Sequence, residues 1–225
     1  MALIDLANDP HTARTRFLVI DFEALTPAGR APEPVEVAAI MLECAASGEL
    51  AKTTRFESLM RPPAEVPVTW RDQASGITPA MLADAPPASE VMAALDRLLP
   101  APDNREASWP YRLVAHSAGT ERTLIFGQRE HCPVLAATPL LDSVRLARAA
   151  LRGLSRHGLS ELARYLQIPI PTGWHRAMAD VELTVVVLIR LLEQGPWRSL
   201  HDLERDARVE PKRPDTPTAE QDGLF

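Results

Sequence analysis

Apolar positions fall into short blocks separated by polar and proline-rich stretches. Arg16–Ala24, RFLVIDFEA, is a brief apolar run that turns acidic at its end, and it predicts a buried strand. Val35–Glu43 and Ala51–Met60 predict two further strands around a Ser47-Gly48 turn, which makes a hairpin. Arg61–Pro87 is rich in turn residues, with a short helix expected over Thr78–Ala83, where Thr78 caps and Pro79 takes the first position. Val91, Met92, Leu95, Leu98 and Leu99 recur at helical spacing within Ser89–Leu99. Pro100–Pro110 reads as a loop, Tyr111–Ala115 as a strand, Thr120–Arg129 as a helix and Pro139–Leu141 as a last short strand. Helices are expected at Ser143–Leu151, Leu159–Leu166 and His175–Leu192. No segment repeats at a fixed period. Strands come mostly early, with helices between and after them, which predicts an α/β fold with a mixed sheet.

Composition sets the bounds. The chain has 225 residues, enough for one generous domain or one domain with an appendage. Hydrophobic residues are 46% and charged residues 24%, which excludes wholesale disorder. From Arg208 the sequence becomes charged and proline-rich, RVEPKRPDTPTAEQDGLF, as a disordered tail would be. The expected organisation is an N-terminal extension over 1–15, a domain over 16–207 and a flexible tail over 208–225. No apolar run approaches the ~18 residues that cross a bilayer; Leu183–Ile189, broken by Thr184, is far shorter. The start, MALIDLANDPHTAR, lacks a basic segment followed by an apolar core. Cys44 and Cys132 are too few for a disulfide framework or a four-cysteine zinc site, so a cytoplasmic protein without membrane partners is expected.

The net charge of −6 disfavours a protein that coats duplex DNA electrostatically. Such a chain avoids nucleic acid, or binds it locally with metal ions supplying positive charge. Lys52 and Lys212 are the only lysines among 24 basic residues. Arginine grips phosphate bidentately, but its preference here runs along the whole chain, as a compositional bias would.

Three segments carry candidate chemistry. Asp21 and Glu23 end the first strand, and residues two apart on a strand project to one face, with Phe22 opposite. Two such carboxylates raise each other's pKa unless a cation lies between them, and hard divalent cations favour oxygen ligands; the alternative is a pair of solvated acids. His175-Arg176-Ala177-Met178-Ala179-Asp180 opens the last long helix. His175 and Asp180 converge only if His175 lies on the loop before it, after Pro171-Thr172-Gly173. Asp180 shares a face with Leu183, Thr184 and Val187, where a carboxylate needs a partner or a metal; a capping role is the alternative. In Val114–Glu121, VAHSAGTE, a strand runs into a helix whose first turn holds Glu121, which suits the helix dipole by itself. His116 is then a satisfied histidine at a strand end, or a substrate contact.

In combination and order, these segments resemble the DEDDh exonucleases, which include the proofreading subunit of bacterial replicative polymerases, RNase T and oligoribonuclease. Supporting stretches are SGITPAMLADAPPASEVMAAL, LLDSVRLARAALRGLSRHGLSELARYLQIPI and HRAMADVELTVVVL, so the resemblance spans roughly Arg16 to Leu192. It implies a ribonuclease-H-like mixed sheet flanked by helices. It also implies two divalent cations, Mg²⁺ or Mn²⁺, and removal of nucleotides one at a time from a 3′ end. Carried over, Asp21, Glu23, Glu121 and Asp180 would hold the metals, and His175 would be the general base. Four carboxylates against two dications leave a near-neutral site that draws in phosphate.

There are two departures from the family pattern. The family usually has aspartate where this chain has Glu121, one methylene longer. The first motif, commonly continued by Thr-Thr-Gly, reads Ala24-Leu25-Thr26 here. Backbone at this point would touch the terminal nucleotide, and Leu25 and Ile77 are either its packing surface or core residues.

The chain ends Gln221-Asp222-Gly223-Leu224-Phe225, which resembles the sliding-clamp-binding peptide Gln-x-x-Leu-Phe. Gln221, Leu224 and Phe225 would be its anchors, with Asp222 where a leucine is usual. Trp70, Trp109, Trp174 and Trp197 either stack on bases or pack in the core. The expected function is a metal-dependent 3′–5′ exonuclease acting on single-stranded or frayed 3′ ends, with DNA favoured. The alternatives are an exoribonuclease of the same family, or a decayed domain that only binds nucleic acid ends or a protein partner.

Overall fold

A computed structural model describes residues 6, 8–45, 48–66, 76–100, 110–170 and 176–210. The strands are β1 (Arg16–Leu25), β2 (Glu33–Cys44), β3 (Leu50–Leu59), β4 (Tyr111–Ala115), β5 (Leu140–Asp142) and β6 (Arg208–Val209). They form one sheet in the order β3-β2-β1-β4-β5-β6. β1, β2 and β3 are successively antiparallel, whereas β4 pairs parallel with β1 and β5 parallel with β4. β6 closes the far edge antiparallel to β5. The helices are α1 (Pro10–Ala13), α2 (Pro79–Ala83), α3 (Ala88–Asp96), α4 (Gly119–Gly127), α5 (Pro133–Ala137), α6 (Ser143–Ala150), α7 (Leu159–Tyr165), α8 (Ala177–Gln194) and α9 (Leu200–Ala207). The mixed sheet flanked by helices agrees with the expected architecture.

The central strands β1 and β2 are buried on both faces, so they read as continuous apolar runs rather than alternating ones, whereas the edge strand β3 is largely exposed. Phe17 and Val19 of β1, with Ala38, Ile40 and Leu42 of β2, share a core with Val181, Val185 and Leu188 of α8. Leu18, Ile20 and Phe22, with Val37, Ala39 and Met41, share another core with Met92 and Leu95 of α3 and Leu124 of α4. Odd positions of β1 therefore face α8, and Asp21 and Glu23 continue that series. Phe22 points the other way, as expected.

Several elements have no clear periodic signal in the sequence. Asp9 caps α1 by accepting from the Thr12 N–H (3.0 Å), and the same carboxylate accepts from the Leu200 N–H (2.9 Å) at the start of α9. Leu6 joins the α8-side core, so described residues of the expected N-terminal extension pack as part of the domain. Ser199 caps α9, whose Leu200, Leu203 and Ala207 are buried. The composition shift at Arg208 does not mark the end of the fold. Arg208 points to solvent while Val209 is buried, and both pair with β5. A two-residue edge strand is too short to leave a pattern.

Trp197 is buried in the α8-side core, and its indole N–H donates to Asp206 at 2.8 Å. That settles one of the four tryptophans as a packing residue; Trp70, Trp109 and Trp174 lie outside the described residues. The Trp197 ring folds over Gly195, where a Cβ would stand 2.1 Å from it. Gly195→Ala is expected to lower stability by about 1–3 kcal/mol through overpacking. Thermal denaturation checks this, and an unchanged midpoint would contradict it.

Candidate active site

The site lies at the carboxyl end of β1, beside parallel β4. The chain leaves β1 toward β2 on one side, while β4 enters on the other, and open sheets form ligand crevices at such points. Asp21 and Glu23 project from β1 toward α8, and Asp180 sits in the first turn of α8. Ligand oxygens of Asp21, Glu23 and Asp180 all lie within 4.8 Å of one another. β1 and β2 are irregular here: Glu23 stands opposite Glu36 but Ala24 stands opposite Pro34, leaving Val35 as the extra residue of a bulge. Bulges re-aim side chains next to active sites, and Pro34 tolerates the position because it needs no ladder N–H.

Glu121, in the first turn of α4, is buried. It stands outside the group of three, yet its charge reaches Asp21. Its Oε2 atom is buried with no hydrogen-bond partner among the described residues. Burial, followed by the charges of Glu121, Asp180, Glu23 and Glu36, holds the Asp21 carboxyl well above the ordinary carboxylate range. Burial, then Asp180 and Glu36, pushes Glu23 up to about 7, with Arg176 opposing. Burial, then Asp142 and Glu23, pushes Glu121 up to about 7 against the pull of its own backbone N–H. Each shift marks a carboxylate whose ionised form is disfavoured by burial first and by neighbouring acids second. An all-oxygen donor set, an orphaned buried carboxylate oxygen and mutual repulsion fit hard divalent cations.

Glu36 is a site residue that the sequence reading missed. It is only 1% exposed. It accepts from Arg176 Nε at 3.0 Å on both oxygens, from Arg176 Nη2 at 2.5 Å, and from the Ala177 N–H at 3.1 Å. Its signal was available: a carboxylate inside the apolar run VEVAAIML, where an unpaired acid would be costly.

His116 is half-buried, with Nδ1 2.8 Å from Ser143 Oγ, and burial lowers its pKa despite nearby Asp142. Ser117 adopts the left-handed region (φ 62°), and its N–H donates to Asp142 Oδ1 at 3.1 Å. Asp142 also caps α6 through the Val144 N–H at 2.9 Å. The turn at Ser117 leads directly into α4, whose first turn carries Glu121. Leu25 and Ile77 are each 2% exposed and pack in one small core with Val35, Val66 and Leu82. That favours their core reading over a nucleotide-packing surface, because protein already covers both side chains. Ala24 is half-buried and Thr26 exposed. His175, Gln221, Leu224 and Phe225 lie outside the described residues.

The RNase T exonuclease family matches residues 18–188, most of the chain, a range that includes Asp21, Glu23, Glu36, Glu121 and Asp180. Among curated relatives, the PolC-type DNA polymerase III of Bacillus cereus is 28% identical over 189 residues, covering 83% of this chain and 12% of the polymerase. The chain thus spans about an eighth of that relative's length. The DNA polymerase III epsilon subunit of Aquifex aeolicus is 28% identical over 197 residues, covering 84% of this chain and 90% of the subunit. Among solved structures, the nuclease domain of 3′hExo, a DEDDh member bound to rAMP, superposes with a TM-score of 0.65 at 17% identity, covering 80% of this chain and 92% of that one. With the acidic crevice at the end of β1 and a family match over residues 18–188, the chain belongs to the RNase T family of exonucleases.

Proposed function

We propose that the protein is a metal-dependent 3′–5′ exonuclease that releases nucleoside monophosphates from DNA ends. The observation that carries this reading is the convergence of Asp21, Glu23 and Asp180 oxygens within 4.8 Å, with Glu121 buried beside them. These four residues would hold two divalent cations, Mg²⁺ or Mn²⁺. Bound there, such ions supply a water of lowered pKa and charge stabilisation for the leaving 3′ oxygen. His175 takes the proton of the attacking water, for which an ordinary histidine pKa of about 6.5 is suited. Backbone at Ala24–Thr26, at the end of β1, borders the terminal nucleotide, with His116 following the adjacent strand β4. Support for a DNA substrate comes from the similarity to a PolC-type DNA polymerase III and to a DNA polymerase III epsilon subunit. Gln221, Leu224 and Phe225 would dock on a polymerase sliding clamp, raising the local concentration of the catalytic domain at DNA.

The test is turnover of 3′-labelled single strands, DNA and RNA in parallel, with Mn²⁺ or Mg²⁺ and with His175→Ala as control. Metal-dependent mononucleotide release, faster on DNA and lost in the variant, is expected. Faster release from RNA would favour an exoribonuclease. Cation binding without release would leave a decayed binding domain. Removal of residues 211–225 is expected to spare turnover of free oligonucleotides and to abolish binding to immobilised clamp.

A further inference from the structure

We infer that Glu36 and Arg176 are a positioning pair that sets the metal-binding carboxylates, by locking the first turn of α8 onto β2. This rests on the cation reading of Asp21, Glu23 and Asp180. The residue before α8 is Arg176, whose side chain makes no cap of its own helix. The first helical N–H, that of Ala177, is instead capped by Glu36 from the neighbouring strand. The same carboxylate holds the Arg176 guanidinium through Nε and Nη2. Asp180 then hangs from this turn, since its N–H donates to the Arg176 carbonyl at 3.1 Å. One carboxylate therefore fixes both the side chain and the helical turn that place Asp180 over β1.

The register sharpens the point. Glu36 stands opposite Glu23 across the β1–β2 ladder, so the strand pair that carries one ligand also carries the anchor of another. Arg55 of β3 adds a second tie by pairing with Glu182, two residues beyond Asp180. A buried ion pair is often no better for stability than a well-packed apolar pair. The pair brings one charge of each sign to the crevice, so charge alone gives no reason for placing it here. What an apolar pair would not supply is the angular definition of a bidentate guanidinium with a backbone cap.

The experiment is Mn²⁺ binding to the full chain by titration calorimetry, well below each variant's melting temperature, with kcat and KM measured on a single-stranded oligonucleotide. Glu36→Gln and Arg176→Gln are each expected to weaken Mn²⁺ binding by about 10–100-fold and to lower kcat with little change in KM. The two variants change the local charge in opposite directions. If the pair acted only through charge, Glu36→Gln would weaken Mn²⁺ binding and Arg176→Gln would tighten it, and that split would overturn the inference. A fall in melting temperature with unchanged Mn²⁺ affinity would overturn it as well, leaving a purely structural pair. Should Glu36→Gln not fold, Arg176→Gln carries the same test alone, and Arg176→Lys is expected to restore only part of the loss. In an Asp180→Asn background, Arg176→Gln is expected to add little further loss. Wild type that binds no Mn²⁺ would sink the cation reading itself, whereas tight wild-type binding with unaffected variants sinks the pair alone.

Discussion

Asp21→Asn is expected to reduce metal-dependent turnover by about a thousandfold or more and, in the same protein freed of metal, to raise the melting temperature. Both effects come from one position. Asp21 shares the group of ligand oxygens with Glu23 and Asp180, and its carboxyl also feels Glu121 and Glu36. It is the only described group whose pKa is raised by all four of these acids. An amide of the same shape leaves the packing of β1 intact, yet it offers a bound cation no charge. Without metal, the same replacement removes a carboxylate that burial and its neighbours disfavour. Single-turnover assays and scanning calorimetry with a chelator measure the two halves. Activity above a tenth of wild type would remove Asp21 from the machinery. A lower metal-free melting temperature would mean that its carboxylate is already compensated within the protein.

Metal-free protein is expected to lose stability as pH rises from about 4.5 to about 7, and added Mn²⁺ is expected to reverse the loss at pH 8. Glu23 and Glu121 titrate at about 7 in the fold against an ordinary 4.5, and Asp21 is also raised. Below 4.5 both the folded and unfolded chains are protonated, and these groups cost nothing. Between the two values the unfolded chain gives up protons that the folded one retains, so unfolding is favoured progressively; above 7 the contribution of Glu23 and Glu121 flattens. The groups are coupled and Glu23 is partly screened by solvent. The combined effect is on the order of a few kcal/mol, or about 5–10 °C for a domain of this size. Divalent cations bind the ionised carboxylates of the folded state alone, so their stabilisation grows over the same window. Melting curves from pH 4.5 to 8, with chelator or with Mn²⁺, check both signs. A metal-free midpoint that rose with pH would show that the acids are paired internally.

The site was partly legible because some of its geometry is local. Period-two alternation places Asp21 and Glu23 on one side of β1 whatever the rest of the chain does. Helical spacing places Asp180 on the face of Leu183, Thr184 and Val187, all buried in the fold. Glu121 in a first helical turn follows from the same kind of reading. Glu36 was passed over because a carboxylate inside an apolar strand has no meaning until its partner is known. That partner, Arg176, lies 140 residues away. Leu25 and Ile77 admitted two readings in sequence, and their common core with Leu82 favours one of them. α9 and β6 went unread for a related reason. Their stability comes from the Asp9 carboxylate at Leu200 and from the edge of β5, rather than from any long apolar pattern of their own.

By itself, the sequence determined which residue types were available and which side of its own strand or helix each would occupy, since those depend on backbone periods of a few residues. The tertiary structure alone decided that three carboxylates converge, that Glu121 stands beside them rather than among them, and that buried Glu36, paired with half-buried Arg176, holds the helix that brings Asp180 in. Convergence depends on strand order and crossover, which join segments more than a hundred residues apart, and no local pattern encodes such a distance.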